Sequence, residues 1–343
     1  MKKLFYLILA LSILGLSGCE LVRILNYKMI SSPNLVLRQN IEPEIIRRKI
    51  DGQEVKSEAE ANLYPVAIMV ENAADSWPAS GLDKANLVFE AITEGSIPRF
   101  VALYANSEEI KKIGPVRSAR PYYLDWIDPY EPLYLHVGGS PDALAKIKSG
   151  NCALTDLNQF WNAQNFWRDK WRYAPHNVYT SSELIKQALA DKELTAPTDY
   201  QTWPYKKDLE LEKRPEQVND IAINYAQQYY KVRWQYNREE NNYIRYQNGD
   251  IHKMSDGEWI KAKNVIVQVN DMIVLDEVGR KKITTTGEGK AWIFRDGETT
   301  AGQWKKDDIK SIIKYYDNNG KEIELNGGTT WVEVIPNEDF LRY

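Results

Sequence analysis

Two uninterrupted apolar runs constrain the fold more than any other feature of the chain. YPVAIMVEN (64–72) and PLYLHVGGSP (132–141) lack the alternate polar positions of a strand with one wet face. Each is bounded by turn residues, so each reads as a strand buried on both faces. A sheet built from such strands needs covering layers, and neighbouring segments offer them. PYYLDWIDPY (121–130) opens with proline at the first helical position. SPDALAKIKSG (140–150) has the Ser cap, early Asp and closing Gly of a helix, and SSELIKQALADK (181–192) repeats the pattern. LVFEAITEG (87–95) and PRFVALYA (98–105) flank a Gly-Ser turn and read as a hairpin. SGLDKAN (80–86) reads as a helical turn capped by Ser80, and IRRKIDGQEV (46–55) as a short opening strand turning at Asp51-Gly52. Residues 45–195 are therefore predicted to form a mixed α/β domain with a largely buried sheet.

The composition changes near residue 196. Three prolines and many charges mark residues 196–216 as a linker. Beyond it, from 217 to 343, apolar and polar residues alternate between Asn-Gly, Asp-Gly and Gly-Gly turns, the pattern of a mainly antiparallel β domain. The predicted class is α+β in two domains, as expected for 343 residues.

The beginning of the chain carries an address rather than a fold. Lys2 and Lys3 precede a thirteen-residue apolar run, Leu4 to Leu16, that ends in LSGC. That run is short for a spanning helix, which needs about 20 residues. Small residues before a cysteine make a lipobox, so residues 1–18 are predicted as a cleaved signal and Cys19 as the lipidated first residue. Residues 19–44 would follow as a tether. The expected location is the extracytoplasmic face of the cell membrane, held there by the lipid anchor. Removing two lysines takes the net charge from −4 to −6, which gives no support to nucleic-acid binding. With Cys19 lipidated, Cys152 has no disulfide partner and reads as a small hydrophobe.

Candidate chemistry centres on KKIGPVRSARPYYLDW (111–126). Arg117 and Arg120 stand three residues apart, limited in backbone freedom by Pro115 and Pro121, and their guanidiniums suit phosphate or carboxylate. Arg99 falls near another strand end; Arg168 and Arg172 form a second cluster. Either these arginines hold an anion, or Glu90, Glu94 and Asp125 neutralise them inside the fold. Glu90 and Glu94 are predicted to share one strand face, as a polar pair. His176 and Asn177, in a loop fixed by Pro175, complete the candidate polar site. His176 is either acid, base or ligand, or a donor to a neighbouring carbonyl. The 11 Trp and 21 Tyr, against 7 Phe, are read mainly as core residues with a polar handle. Trp161, Trp167 and Trp171 fit a half-buried face, with sugar stacking as the alternative. No cofactor or metal is expected, because His136, His176 and His252 lie far apart without a zinc spacing. Ser140 reads as a helix cap rather than a nucleophile.

VAIMVEN, EAITEGSIPRF, IGPVRSARPYY, YLHVGGSP, FWRDKWRYAPHNVYT and GTTWVEVIP together resemble the YerB-type bacterial lipoproteins. That resemblance spans most of the chain after the signal. It implies an envelope lipoprotein with two paired domains of unknown function and supplies no reaction. Two roles stay open. The first is binding of an envelope protein or an anionic component such as a cell-wall glycopolymer. The second is an enzyme acting on phosphorylated or lipid-pyrophosphate-linked intermediates. The element order resembles the LytR–CpsA–Psr transferases at the level of architecture, although their Ser-Ile-Pro-Arg-Asp string is missing.

Overall fold

The computed structural model describes Tyr27–Ser32, Leu35–Asn40 and residues 45–343, apart from 106, 195–199 and 227–228. The expected signal peptide and Cys19 lie outside the described residues. The chain divides into two units, Met1–Ile45 and Ile46–Tyr343. Within the first, Tyr27–Ser32 pairs antiparallel with Leu35–Asn40, so part of the segment read as a tether is a β hairpin.

The second unit contains strands β1 (Val66–Val70), β2 (Leu87–Ile92), β3 (Pro98–Tyr104), β4 (Leu133–His136) and β5 (Thr155–Asn158). These are followed by β6 (Ile221–Ala226), β7 (Tyr230–Asn237), β8 (Asn242–Gln247) and β9 (Asn264–Val269). The last are β10 (Gly287–Arg295), β11 (Glu298–Lys306), β12 (Lys314–Asp317) and β13 (Thr330–Ile335). The three longest helices are α1 (Pro121–Ile127), α2 (Pro141–Lys148) and α3 (Ser182–Asp191), after a single turn at Glu58–Ala61. Ten strands make one mixed sheet in the order β12-β11-β10-β9-β13-β2-β3-β1-β4-β5. At its middle, β13 runs parallel to β2 with Glu333 opposite Glu90, and parallel to β9 on its other side. The two stretches separated in the sequence by a charged linker thus share one sheet. The class is α+β: a mixed sheet with helices first, then mostly antiparallel strands.

Side-chain alternation explains the two apolar runs. Val66, Ile68 and Val70 join one core, while Ala67 and Met69 join the other. The first core continues into Ile223, Trp234 and Tyr243 of the β6–β8 sheet and into Ile185 and Leu189 of α3. The second takes Tyr123, Leu124, Trp126 and Ile127 from α1. Each fully buried Val, Ile or Met contributes about 1.5–3 kcal/mol relative to exposure, so both faces of β1 are held.

Most of the local signals are realised. Ser140 and Ser181 cap α2 and α3 by accepting from Ala143 N (3.4 Å) and Leu184 N (3.3 Å). Arg47 and Glu54 bridge across the turn at Asp51-Gly52. Ser80 is a correction: the turn after it is a 3-10 turn, Leu82–Lys84, preceded by Gly81 in the left-handed region. The Ser80 hydroxyl instead meets Ser255 Oγ at 2.7 Å.

Candidate functional site

The arginine-bearing segment is clamped between strand ends. Gly114 adopts φ +141°, where a Cβ would lie 2.9 Å from Val178 O, so glycine is needed there. Val116 N donates to Val178 O (2.7 Å), Arg117 N to Met69 O (2.9 Å) and Ala119 N to Gly138 O (3.0 Å). Val116 and Ala119 are buried. This leaves Arg117 and Arg120 to line a cleft of 290 Å³ with Glu71, Asp75, Glu94, Arg99 and His176.

Each guanidinium has a different situation. Arg120 is fully engaged: it donates to both oxygens of Glu94, at 2.5 and 2.7 Å, and to Ala119 O at 2.6 Å. Burial alone would raise Glu94, but the hydrogen bonds and charge of Arg120 outweigh it and hold the carboxylate below its usual range. Arg117 donates to Pro175 O at 3.2 Å. Its Nε stands 3.0 Å from Glu71 Oε1, as does His176 Nδ1. Both are at ion-pair distance but out of line for a hydrogen bond, and the buried Glu71 Oε2 has no hydrogen-bond partner. Arg99 has the longest ion pair of the three. It is 7% exposed, donates to Ser118 O at 2.9 Å, and reaches Glu94 only at 4.0 Å. Burial, with repulsion from Arg120 and Arg117, lowers its pKa. Three guanidiniums thus share the cleft with the buried Glu71, the half-buried Glu94 and the exposed Asp75, and Arg99 holds the longest of the ion pairs.

The loop that carries His176 is fixed next to this cleft. Arg172 donates to Ser76 O and to Pro78 O, the latter at 2.7 Å, and Lys112 pairs with Asp169. Arg168 lies outside the cleft and donates to Asn177 Oδ1 at 2.8 Å; Asn177 Nδ2 returns to Arg172 O at 3.3 Å. A half-buried face for Trp161 and Trp171 is overturned, because they are 81% and 94% exposed. Trp171 sits on a loop held by the backbone contacts of Arg172 rather than on a helix, so the six-and-four spacing has no helical face to serve. Only Trp167 is half-buried, facing Tyr179 at 6.1 Å.

Glu90 and Glu94 do not share a face. Glu94 lies past β2 in the turn Glu94–Ser96, whereas Glu90 lies within β2 and meets an arginine that the sequence did not single out. Arg245 Nη2 donates to Glu90 Oε2 at 2.7 Å, with both side chains fully buried. Burial holds Glu90 well above the usual carboxylate range, helped by Glu333 and opposed by Arg245. Trp331 donates to Glu90 Oε2, while Tyr225 and Trp234 donate to Glu333. Asn72 donates to Glu90 Oε1 at 3.2 Å and also lines the arginine cleft. Asp125 pairs with Lys146 and accepts from Thr285 (2.8 Å), so it answers no arginine.

Elsewhere, His136 is buried between Asp156 Oδ1 and Gly138 O, each at 2.7 Å. Cys152 is half-buried against the second core. Glu71 and Asp75, which complete the cleft, were passed over in the sequence. A carboxylate ending the apolar run of β1 was the available signal for Glu71.

Fold and cleft together define a mixed α+β protein whose N-terminal half presents a charged cleft beside one sheet common to both halves. The chain belongs to the DUF3048 family. Residues 51–195 match its domain described as "Protein of unknown function (DUF3048) N-terminal domain" and residues 221–332 its C-terminal domain. It is 30% identical over 283 residues to the Bacillus subtilis (strain 168) protein named "Putative lipoprotein YerB", covering 80% of this chain and 82% of that one. The crystal structure of the YerB protein from Bacillus subtilis superposes with a TM-score of 0.77 at 26% identity, covering 86% of this chain and 98% of that one.

Proposed function

We propose that this chain is a lipid-anchored protein of the extracytoplasmic membrane face that binds an anionic group of an envelope component. The lipobox ending at Cys19 and the printed name of the relative support the anchor. One observation carries the anion site: the buried Arg99 keeps a charge that its surroundings disfavour, beside Arg117 and Arg120. A buried guanidinium with so long an ion pair costs stability unless a ligand offsets it. Pyrophosphate tests this at low salt with the full-length chain in detergent. At 100 times its dissociation constant, linkage gives about 2.7 kcal/mol, or roughly 4 °C for a unit of this size. Absence of any shift would remove the anion reading.

Turnover of a phosphorylated intermediate is a second reading, favoured by the carboxylate of Glu71 3.0 Å from His176 Nδ1. Such a partner can orient a histidine for acid–base work. Release of phosphate from a polyprenyl pyrophosphate, lost in His176→Gln, would establish it; binding without release would leave binding alone.

A further inference from the structure

The arginine cleft adjoins a second one of 560 Å³, lined by Asp75, Trp77, Trp171, Arg172, Tyr173 and His176. Asp75 and His176 line both. Trp171 and Tyr173 are 94% and 92% exposed, yet their loop is held in place. Trp171 N donates to Asp169 Oδ1 (2.9 Å), His176 N to Tyr173 O (2.9 Å), and Arg172 fastens the loop to Ser76 and Pro78. Trp77 is oriented too, with its indole N–H on Asn72 Oδ1 at 2.9 Å and its ring edge-on to Tyr230 at 5.9 Å. Large rings displayed without packing partners on an ordered loop make a contact surface available at little ordering cost.

We infer that this second cleft takes the pyranose ring of a glycan whose anionic substituent sits at the arginines. The inference rests on the anion reading above and names the rest of the ligand. A sugar ring offers an apolar C–H face to an aromatic ring and a rim of hydroxyls to polar groups. The cleft mixes the same features, with rings at Trp77, Trp171 and Tyr173 and polar groups at Asp75, Arg172 and His176. A bilayer is a poorer occupant, because inserting these rings would draw the adjacent Asp75, Arg172 and His176 out of water. The volume is that of a small-molecule site, about 300–1,000 Å³.

The test is calorimetric titration of the full-length chain in detergent with five probes: inorganic phosphate, pyrophosphate, N-acetylglucosamine, its 1-phosphate, and glucuronate. The sugar phosphate is expected to bind about tenfold more tightly than inorganic phosphate, the scale of one good ring contact. Trp171→Ala should remove that advantage while inorganic phosphate binds as before; at 94% exposure the side chain carries no packing. The stronger of glucuronate and sugar phosphate identifies the substituent as carboxylate or phosphate, and either agrees with the inference. Equal affinity for phosphate and sugar phosphate, with glucuronate no stronger, would overturn it and leave the anion reading intact. So would an advantage that survives Trp171→Ala and Tyr173→Ala, or unphosphorylated sugar binding as well as the 1-phosphate. No binding of phosphate or pyrophosphate would defeat the anion reading itself, and the inference with it.

Discussion

Replacing Arg245 by methionine should be the most damaging single change in the interior. Arg245 joins β8 to β2: its guanidinium donates to Glu90 Oε2 at 2.7 Å and Gln247 Oε1 at 2.6 Å, and contacts His252 Nδ1. It also lies 5.3 Å from the Trp331 ring and 5.6 Å from Phe100. Methionine fills much of the volume but leaves Glu90 beside Glu333 with no cation. Removing one partner of a buried pair costs about 3–5 kcal/mol. The unit from 46 to 343 has 298 residues, so its unfolding entropy is about 0.63 kcal/mol/K. The midpoint should therefore fall by about 5–8 °C in a calorimetric or circular dichroism melt. In the double variant with Glu90→Gln, part of the loss should return, since the partner of Arg245 then no longer carries a charge. A drop below about 1.5 °C, or strictly additive single effects, would refute the claim that this pair joins the two layers.

Two further expectations follow from titrating groups. Glu90 is raised in the fold, so its contribution is fully present below the unfolded carboxylate pKa of about 4.3 and is lost as pH rises through the folded value. Glu90→Gln lacks that loss, so its stability relative to wild type should be higher at pH 8 than at pH 5 in urea titrations; a constant or reversed difference would contradict the upward shift of Glu90. Burial, with a smaller push from Asp128, raises the Cys152 thiol to about 11. Thiolate is therefore scarce at pH 8, and iodoacetamide should modify the folded chain far more slowly than the urea-unfolded one; equal rates would show a thiol that the fold does not shield.

What the sequence revealed and what it hid follow from the range of the interactions. The apolar runs of β1 and β4, the Ser caps of α2 and α3 and Pro121 at the start of α1 are local signals, and each formed the expected element. The pairing of β13 with β2 reaches across more than two hundred residues, and no local pattern encodes it. Arg245 was hidden for a related reason. It lies on β8 in phase with Tyr243 and Gln247, all buried, while Ile244 and Tyr246 are half-buried. Nothing local marks its charge as buried, because its partner Glu90 lies 155 residues away. For the cleft, donor density in GPVRSAR pointed to a loop whose Arg117 and Arg120 line it. Which carboxylates answer which arginines depended on the turn after β2 and on Glu71 at the end of β1. The exposed rings were misread because a spacing suited to a helix fell on a loop fastened by Arg172.

The charge left on Arg99 is tested most directly by Arg99→Met, with pyrophosphate titrated into wild type and variant at low salt and a melt of each. Because burial and the neighbouring guanidiniums disfavour that charge, the variant should melt within about 2 °C of wild type, the loss of one hydrogen bond to Ser118 O. Pyrophosphate binding should fall at least tenfold. A variant that binds pyrophosphate as wild type does, or one that melts far lower without ligand, would mean that Arg99 serves the fold and that the cleft is an internal ion-pair network.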